Sequence, residues 1–370
     1  MRIAIITFHR AYNCGAMLQA WALKTVLERM GHKVEFPVLN HVGETKRWKL
    51  SWIKWSWNPV KLLRSVVYRV VYNIASIPGE DLLRHRFKLF RQKYLVERVC
   101  RIDELDKLYD VIIVGSDQVW NEDCSKGEAP LFLAEGLPSG VKKIAYAVSC
   151  GDKALSDERL ITIGNAVRRF VDVSVRENII GEQLRRIINK ELPMVLDPTL
   201  LLDVSDYNIW DRQLVSEPCL FMYTLSTNDF FINTARLIAK KLAVKLVIAP
   251  MYQFSRYKAP RNLTYGISPD RLVSYVARAK YVLSGSFHGT VLSILFNKPF
   301  LSLRLNAENQ SCPSRVGTLL ALTKTMQRLV TPDVAIDEMV TRLTAPVEID
   351  FAALKKEREI SLKWLEDNLS

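Results

Sequence analysis

The stretch Gly285-Ser286-Phe287-His288-Gly289-Thr290 sets an imidazole among hydroxyls and glycines. It follows the apolar Tyr281-Val282-Leu283 and precedes Val291-Leu292-Ser293-Ile294-Leu295-Phe296, the pattern of a strand turning into a helix. The Ser286 and Thr290 hydroxyls, the His288 ring and the amides of Gly289 and Thr290 would then meet at one helix N-terminus. A histidine there can deliver a proton, and the amides can hold an anion. The flanking glycines allow close ligand approach. The plain alternative is a turn histidine with its hydrogen bonds satisfied.

Three further clusters carry chemistry-bearing types. Gly115-Ser116-Asp117-Gln118-Val119-Trp120-Asn121 sends a carboxylate, an amide, an indole and a second amide out of one strand end. Asp117, Gln118 and Asn121 suit sugar hydroxyls and Trp120 suits a pyranose face; a capped loop with Trp120 as a core plug is the bland counterpart. Arg176, in Ser174-Val175-Arg176-Glu177-Asn178, would point a guanidinium fork at a carboxylate or phosphate, or simply pair with Glu177. Asn13-Cys14-Gly15-Ala16 lies between the first strand and the first helix, where amides and helix dipole favour an anion. It is neither GxGxxG nor a P-loop, which argues against nicotinamide cofactors and P-loop ATP chemistry.

The elements that must place these clusters follow an α/β rhythm. Residues 2–8 read as a buried strand, 17–31 as a helix closed by Gly31, and the segment from His32 as another strand. Strands are expected over 110–117, 142–152 and 171–178, with a helix over 157–170. After 191–203, read as a connection between lobes, the cycle restarts: strands at 219–225, 245–251, 281–286 and 298–304, and helices at 229–243, 268–279 and 290–297. A last amphipathic helix covers 351–369. The expected fold is α/β, two Rossmann-like domains facing a cleft: an N-terminal domain 1–203, a C-terminal donor-binding domain 204–345, and a tail 346–370 packing back on the first. Every polar cluster above sits at a strand's carboxyl end, where such sheets bind ligands.

Composition sets the broad class. At 370 residues, 49% hydrophobic and 25% charged, the chain reads as globular. Its six cysteines are scattered, with no CxxC pair, so neither a metal site nor a disulfide framework is expected. The N-terminus reads as a strand rather than a signal peptide, and no stretch approaches a membrane span; a cytoplasmic protein is expected. The formal charge of +13 predicts an anionic partner. Much of the basic character lies in 46–93. Within 46–72, four of the eight tryptophans accompany seven Lys/Arg and no acid. At helical spacing Trp48, Trp52 and Trp55 share a face opposite Lys54, Lys61 and Arg64, the composition of an interfacial membrane helix or of an insertion packed on its domain. The first would make the protein peripheral on the inner face of the cytoplasmic membrane. A nucleic-acid partner has no motif in support.

Together the clusters resemble the polysaccharide pyruvyl transferase family. The resemblance rests on N-C-G-A-M-L-Q-A-W-A-L (13–23), V-G-S-D-Q-V-W-N (114–121), A-Y-A-V-S-C-G (145–151), S-V-R-E (174–177), L-D-P-T-L-L-L (196–202) and S-F-H-G-T-V-L-S-I-L-F-N-K-P (286–299). It implies a GT-B-like fold, phosphoenolpyruvate as co-substrate, no other cofactor and no metal. The acceptor implied is a vicinal or 4,6-type sugar diol in surface polysaccharide synthesis, such as exopolysaccharide or capsule, and the product a cyclic pyruvate ketal. A polyprenyl-diphosphate-linked oligosaccharide would bring the acceptor to the membrane. By this likeness His288 would be the catalytic proton donor or a ligand to the donor's phosphate or carboxylate, while chemistry and position, more than the family, make Asp117 the expected base. Arg176, Arg315, Ser286, Gly289, Thr290, Asn13 and Gly15 would serve the donor, and Gln118, Trp120 and Asn121 the acceptor.

The chain departs from the family pattern at Gly285, where many relatives carry an acid, and at Cys150, where an aromatic is common. The first rival reading is a GT-B glycosyltransferase using a nucleotide sugar, but between 245 and 320 Glu308 is the only glutamate available for a ribose. The second is a binding protein that has lost turnover; the presence of His288, Arg176 and Asp117 argues against it.

Overall fold

The computed structural model describes residues 1–39, 82–151, 155–210, 214, 217–225, 228–250, 264, 266–306 and 314–370. The basic segment 46–72, with Trp48, Trp52, Trp55, Lys54, Lys61 and Arg64, lies outside them.

Two parallel sheets organise the described chain. The first has strands β1 (Arg2–Ile6), β2 (Lys33–Leu39), β3 (Glu97–Cys100), β4 (Val111–Asp117), β5 (Lys142–Val148) and β6 (Asp172–Val175), in the order β3-β2-β1-β4-β5-β6. The second has β7 (Cys219–Thr224), β8 (Lys245–Pro250), β9 (Tyr281–Gly285), β10 (Phe300–Leu303) and β11 (Leu329–Val330), in the order β11-β10-β9-β7-β8. These are the two common doubly wound orders, and each places a crevice where the winding reverses. In the first sheet the reversal lies between β1 and β4, at the end of which Asp117 stands. In the second it lies between β7 and β9, where Gly285 pairs with Thr224 and leads into His288.

The strands are apolar throughout because both faces of each sheet are covered. Ile3 and Ile5 join a core that runs from the first sheet through the helix Cys14–Arg29 to Phe221, Tyr223 and the C-terminal helix Phe351–Leu369. Their neighbours Ala4 and Ile6 face a second core containing Ile112, Val114, Ile163 and Trp120. In the second sheet Leu220 and Met222 turn to a third, beneath Ile232 and Ile238. The Cys14–Arg29 helix is thus buried between the sheets, and Trp21 packs on Trp210 with ring centroids 4.4 Å apart.

The C-terminal helix lies across residues 196–203. Arg358 donates to the carbonyls of Leu200 (2.7 Å) and Leu202 (3.1 Å) and pairs with Asp203. Ser361 Oγ accepts from the Leu196 amide at 2.9 Å, and Trp364 lies 5.7 Å from the Tyr146 ring.

Several elements differ from the sequence reading for local reasons. The helix expected at 290–297 runs Phe287–Leu295, because Ser286 caps it three residues earlier. The first helix starts at Cys14, capped by Asn13. The helices at 82–94, Asn178–Ile188 and Ile336–Thr344, and strands β3 and β11, were not expected. At four residues β3 is too short to show alternation, and β11 has only two.

Candidate active site

The clusters at the two crevices meet through one buried network. Arg176 leaves β6 with its side chain only 2% exposed. Its Nη1 donates to Asp197 Oδ2 at 2.6 Å, its Nη2 to Asp117 Oδ1 at 3.3 Å, and its Nε lies 3.9 Å from Glu177 Oε2. From the other domain His288 brings Nε2 to 3.6 Å from the same Asp197 oxygen. That nitrogen is buried and has no hydrogen-bond partner among the described residues. Phe287 holds its ring beneath two guanidinium groups, Arg176 at 5.1 Å and Arg315 at 5.8 Å. The arrangement brings together Arg176, Asp117, His288 and Arg315, and adds Asp197 and Glu177.

Asp197 was read in the sequence as part of a connection, and the structure makes it the hinge of the network. Its Oδ1 accepts from the Thr199 amide (3.0 Å) and hydroxyl (2.6 Å), leaving Oδ2 for Arg176 and His288. The backbone around it is clamped: the Tyr146 hydroxyl donates to Leu196 O (2.9 Å), Ser361 holds Leu196 N, and the Tyr207 hydroxyl donates to Thr199 O (2.8 Å). The signal available in the sequence was an aspartate before a proline, which caps a short turn.

Electrostatics follow from burial set against charge. Burial alone would raise the Asp197 carboxyl; the charges of His288 and Arg176 and the Thr199 hydroxyl overcome it and hold the group below the usual carboxylate range. For Arg176 burial opposes the charged form, but Asp197, Asp117 and Glu177 more than compensate and raise it further. Glu177 goes the other way. Burial raises its carboxyl, although Arg176, Arg315 and the Cys150 amide, 3.1 Å from Oε1, favour the ionised form.

Close approach between the domains explains one glycine. A Cβ on Gly15 would lie 2.0 Å from His288 Nδ1, so only glycine lets the imidazole rest on the first helix's N-terminus. Gly151, with φ +90°, performs a similar task for the Asn121 and Gln118 amides, 2.7 and 3.0 Å from its notional Cβ. The Gln118 amide spans Asn121 (2.6 Å) and Arg315 (2.6 and 2.8 Å to Nη2 and Nη1) when its oxygen faces the guanidinium. Gln118 and Asn121 therefore belong to the same interdomain cluster.

Other expected ligands have different work. Ser286 Oγ accepts from the Gly289 amide at 3.0 Å, and Ser286 O from the Thr290 amide at 3.2 Å. Asn13 Oδ1 accepts from Gly15 N (2.9 Å) and Ala16 N (3.3 Å). The amides expected to cradle an anion are thus already capped. Thr290 is fully buried, its hydroxyl 3.1 Å from both Ser286 O and Ser302 Oγ. Trp120 is also fully buried and donates from Nε1 to Phe132 O at 3.0 Å. No indole face remains for a sugar, so it is the core plug. Arg176 is not an open fork but the centre of a three-carboxylate cage.

At Gly285, where the resemblance led to the expectation of an acid, a Cβ would meet Thr224 Oγ1 at 3.0 Å and the Phe231 ring at 3.1 Å. Packing by these neighbours fills the place of the missing side chain. Among the described residues no group of three or more His, Cys, Asp or Glu could hold a metal ion, and no helix is long and apolar enough to cross a membrane.

Comparison with known proteins bears on the fold and the family. No curated protein matches the chain. Solved structures that match include the UDP-GlcNAc 2-epimerase of Methanocaldococcus jannaschii in complex with UDP-GlcNAc and UDP (10% identity, 99% of each chain, TM-score 0.52). A putative UDP-N-acetylglucosamine 2-epimerase from Listeria monocytogenes is similar at 7% identity over 98% of this chain and 90% of that one, with a TM-score of 0.52. At these identities the likeness is one of fold, the GT-B-like pair of Rossmann-like domains. The polysaccharide pyruvyl transferase family model matches residues 13–306, from the cap of the first helix past the His288 turn, and the chain belongs to that family.

Proposed function

We propose that this transferase of polysaccharide modification moves the enolpyruvyl group of phosphoenolpyruvate onto a sugar diol, closing a cyclic ketal. The observation that carries the reading is the buried His288–Asp197–Arg176 network at the meeting of the two domains, with Arg315 beside it. Proton delivery to an enol phosphate and binding of a trianionic donor both need such a site.

His288, with Nε2 3.6 Å from Asp197 Oδ2, gives a proton to the methylene carbon, which becomes a methyl group. The adjacent carbon becomes oxocarbenium-like and is attacked by the first sugar hydroxyl, whose proton passes to Asp117. The carbon–oxygen bond to phosphate then breaks and inorganic phosphate leaves. The second hydroxyl adds to the same carbon and loses its proton, closing the ring. Of the two hydroxyl protons, one replaces that used on the methyl group and one leaves with phosphate. Arg315, with the positive field of Arg176 behind it, holds the donor's phosphate and carboxylate, while Gln118 and Asn121 orient the sugar. The acceptor is a lipid-linked oligosaccharide, met at the inner membrane surface through the basic segment 46–72.

Phosphate release from phosphoenolpyruvate, measured with a panel of lipid-linked galactose-containing oligosaccharides, tests the reading. Acceptor-dependent release that His288→Ala abolishes is expected. Binding of UDP-sugars with no response to phosphoenolpyruvate would turn the assignment to nucleotide-sugar transfer.

A further inference from the structure

The C-terminal helix Phe351–Leu369 contributes none of the motifs that carry the resemblance, yet it reaches the back of the active-site network. Its buried residues are Leu354, Ser361, Leu365 and Leu369, on one stripe of the helix. The three leucines join the core that runs between the sheets. Ser361 is the one polar residue in that seam, and a buried hydroxyl is kept where it has bonds to make. Its Oγ donates to Glu357 O at 2.7 Å and accepts from the Leu196 amide at 2.9 Å. Alanine would fill the same place and favour the helix more, so the bond to Leu196 is what calls for a serine.

Leu196 is the residue before Asp197. The chain reaches it along β6, where Val195 N donates to Val175 O and Val175 N to Pro193 O, each at 2.9 Å. Beyond Val195 side chains take over the backbone groups of the segment. Ser361 holds the amide of Leu196, and Tyr146 donates to its carbonyl at 2.9 Å, in the peptide unit that also carries the Asp197 nitrogen. Further on, Tyr207 donates to Thr199 O at 2.8 Å, and Arg358, three residues before Ser361, to the Leu200 and Leu202 carbonyls. Asp197 in turn meets Arg176 Nη1 at 2.6 Å and stands 3.6 Å from His288 Nε2. Its place between the two is set by Leu196, and a misplacement of about 1 Å is enough to cost a reaction a hundredfold.

We propose that Ser361 is a positioning residue: by holding Leu196 it fixes where Asp197 stands between Arg176 and His288, so the C-terminal helix governs the network without touching substrate. Its effect on turnover rests on the function proposed above; its effect on the His288 ring does not.

The test reads the free protein first. NMR of selectively labelled histidine follows the His288 ring nitrogens, and hydrogen exchange follows the Leu196 amide, in the parent, Ser361→Ala and Tyr109→Phe proteins. Tyr109→Phe is the control, losing a buried bond to Glu35 Oε2 (3.0 Å) just before β4, at the far end of that strand from Asp117. Ser361→Ala should shift the His288 ring signals and speed Leu196 exchange by about tenfold or more; Tyr109→Phe should do neither. Phosphate release from phosphoenolpyruvate gives the second reading. In Ser361→Ala kcat should fall by about tenfold or more with KM for phosphoenolpyruvate nearly unchanged. The same change made in Asp197→Asn should cost little more, since no carboxylate is left to place. His288 signals unmoved by Ser361→Ala, or moved as far by Tyr109→Phe, would overturn the proposal, as would a kcat loss that multiplies in full in the Asp197→Asn background. A parent without turnover would refute the transfer reading alone, and the ring signals and amide exchange would still decide the positioning role.

Discussion

Replacing Asp197 by asparagine changes one oxygen to an amide nitrogen at the centre of the network. Oδ1 can still accept from the Thr199 amide and hydroxyl, so the short turn should survive. What changes is Oδ2: a donor now faces Arg176 Nη1 at 2.6 Å and His288 Nε2 at 3.6 Å. Breaking a buried ion pair from one side costs about 3–5 kcal/mol, and Asp117 and Glu177 remain to share the guanidinium, so the lower end is expected. At about 2–4 °C per kcal/mol for a chain of a couple of hundred residues, the melting temperature should fall by roughly 6–12 °C, less in a longer chain. The His288 ring loses the carboxylate that faces its Nε2, and kcat should fall a hundredfold or more with a smaller change in KM. Because the Asp197 carboxyl is held below its unfolded value, its stabilisation is present at neutral pH and lost as pH falls below about 4. Parent and variant melting curves should converge there. Thermal melts across pH and steady-state phosphate release provide the assays. A variant that melts and turns over like the parent at neutral pH would refute the network as drawn.

Three other outcomes follow from named contacts. Gly15→Ala places a methyl group 2.0 Å from His288 Nδ1 and should displace the imidazole, costing a hundredfold or more in turnover while circular dichroism stays unchanged. Trp120→Phe removes a buried bond to Phe132 O and should cost about 1–3 kcal/mol of stability in a denaturant titration, with KM for the acceptor unaltered. Burial, with Arg10 and Arg91 adding to it against the opposing Thr7 carbonyl bond, lowers His9 to about 3. The folded state therefore binds fewer protons than the unfolded one between that value and about 6.5, and stability should fall as pH drops through the interval. His9→Asn should flatten that slope in pH-dependent melts.

Much of this arrangement was legible in the sequence because local rules sufficed. Apolar runs such as Ile3–Ile6 and Leu220–Tyr223 named the strands, and the polar residues leaving them named the crevice. The helix Phe351–Leu369 could be read from its apolar periodicity, and the structure adds Asp350 as its cap. What could not be read were roles set by partners far along the chain. Ser286 and Asn13 look like ligands at a helix start, yet the same geometry makes them caps that consume the amides. Trp120 carries the chemistry of a sugar platform, and only the packing of the second core shows its faces covered. Asp197 stands in a proline-bearing connection; its importance comes from Arg176, 21 positions away, and from His288 in the other domain.

The most direct measurement is to run transfer from phosphoenolpyruvate in deuterium oxide and examine the ketal methyl group by mass spectrometry and NMR. One deuterium per methyl group, with product formation lost in His288→Ala, is the predicted result, since the added proton comes from a solvent-exchangeable imidazole. A ketal whose methyl group carries no solvent deuterium, or unimpaired product formation by the alanine variant, would contradict the account.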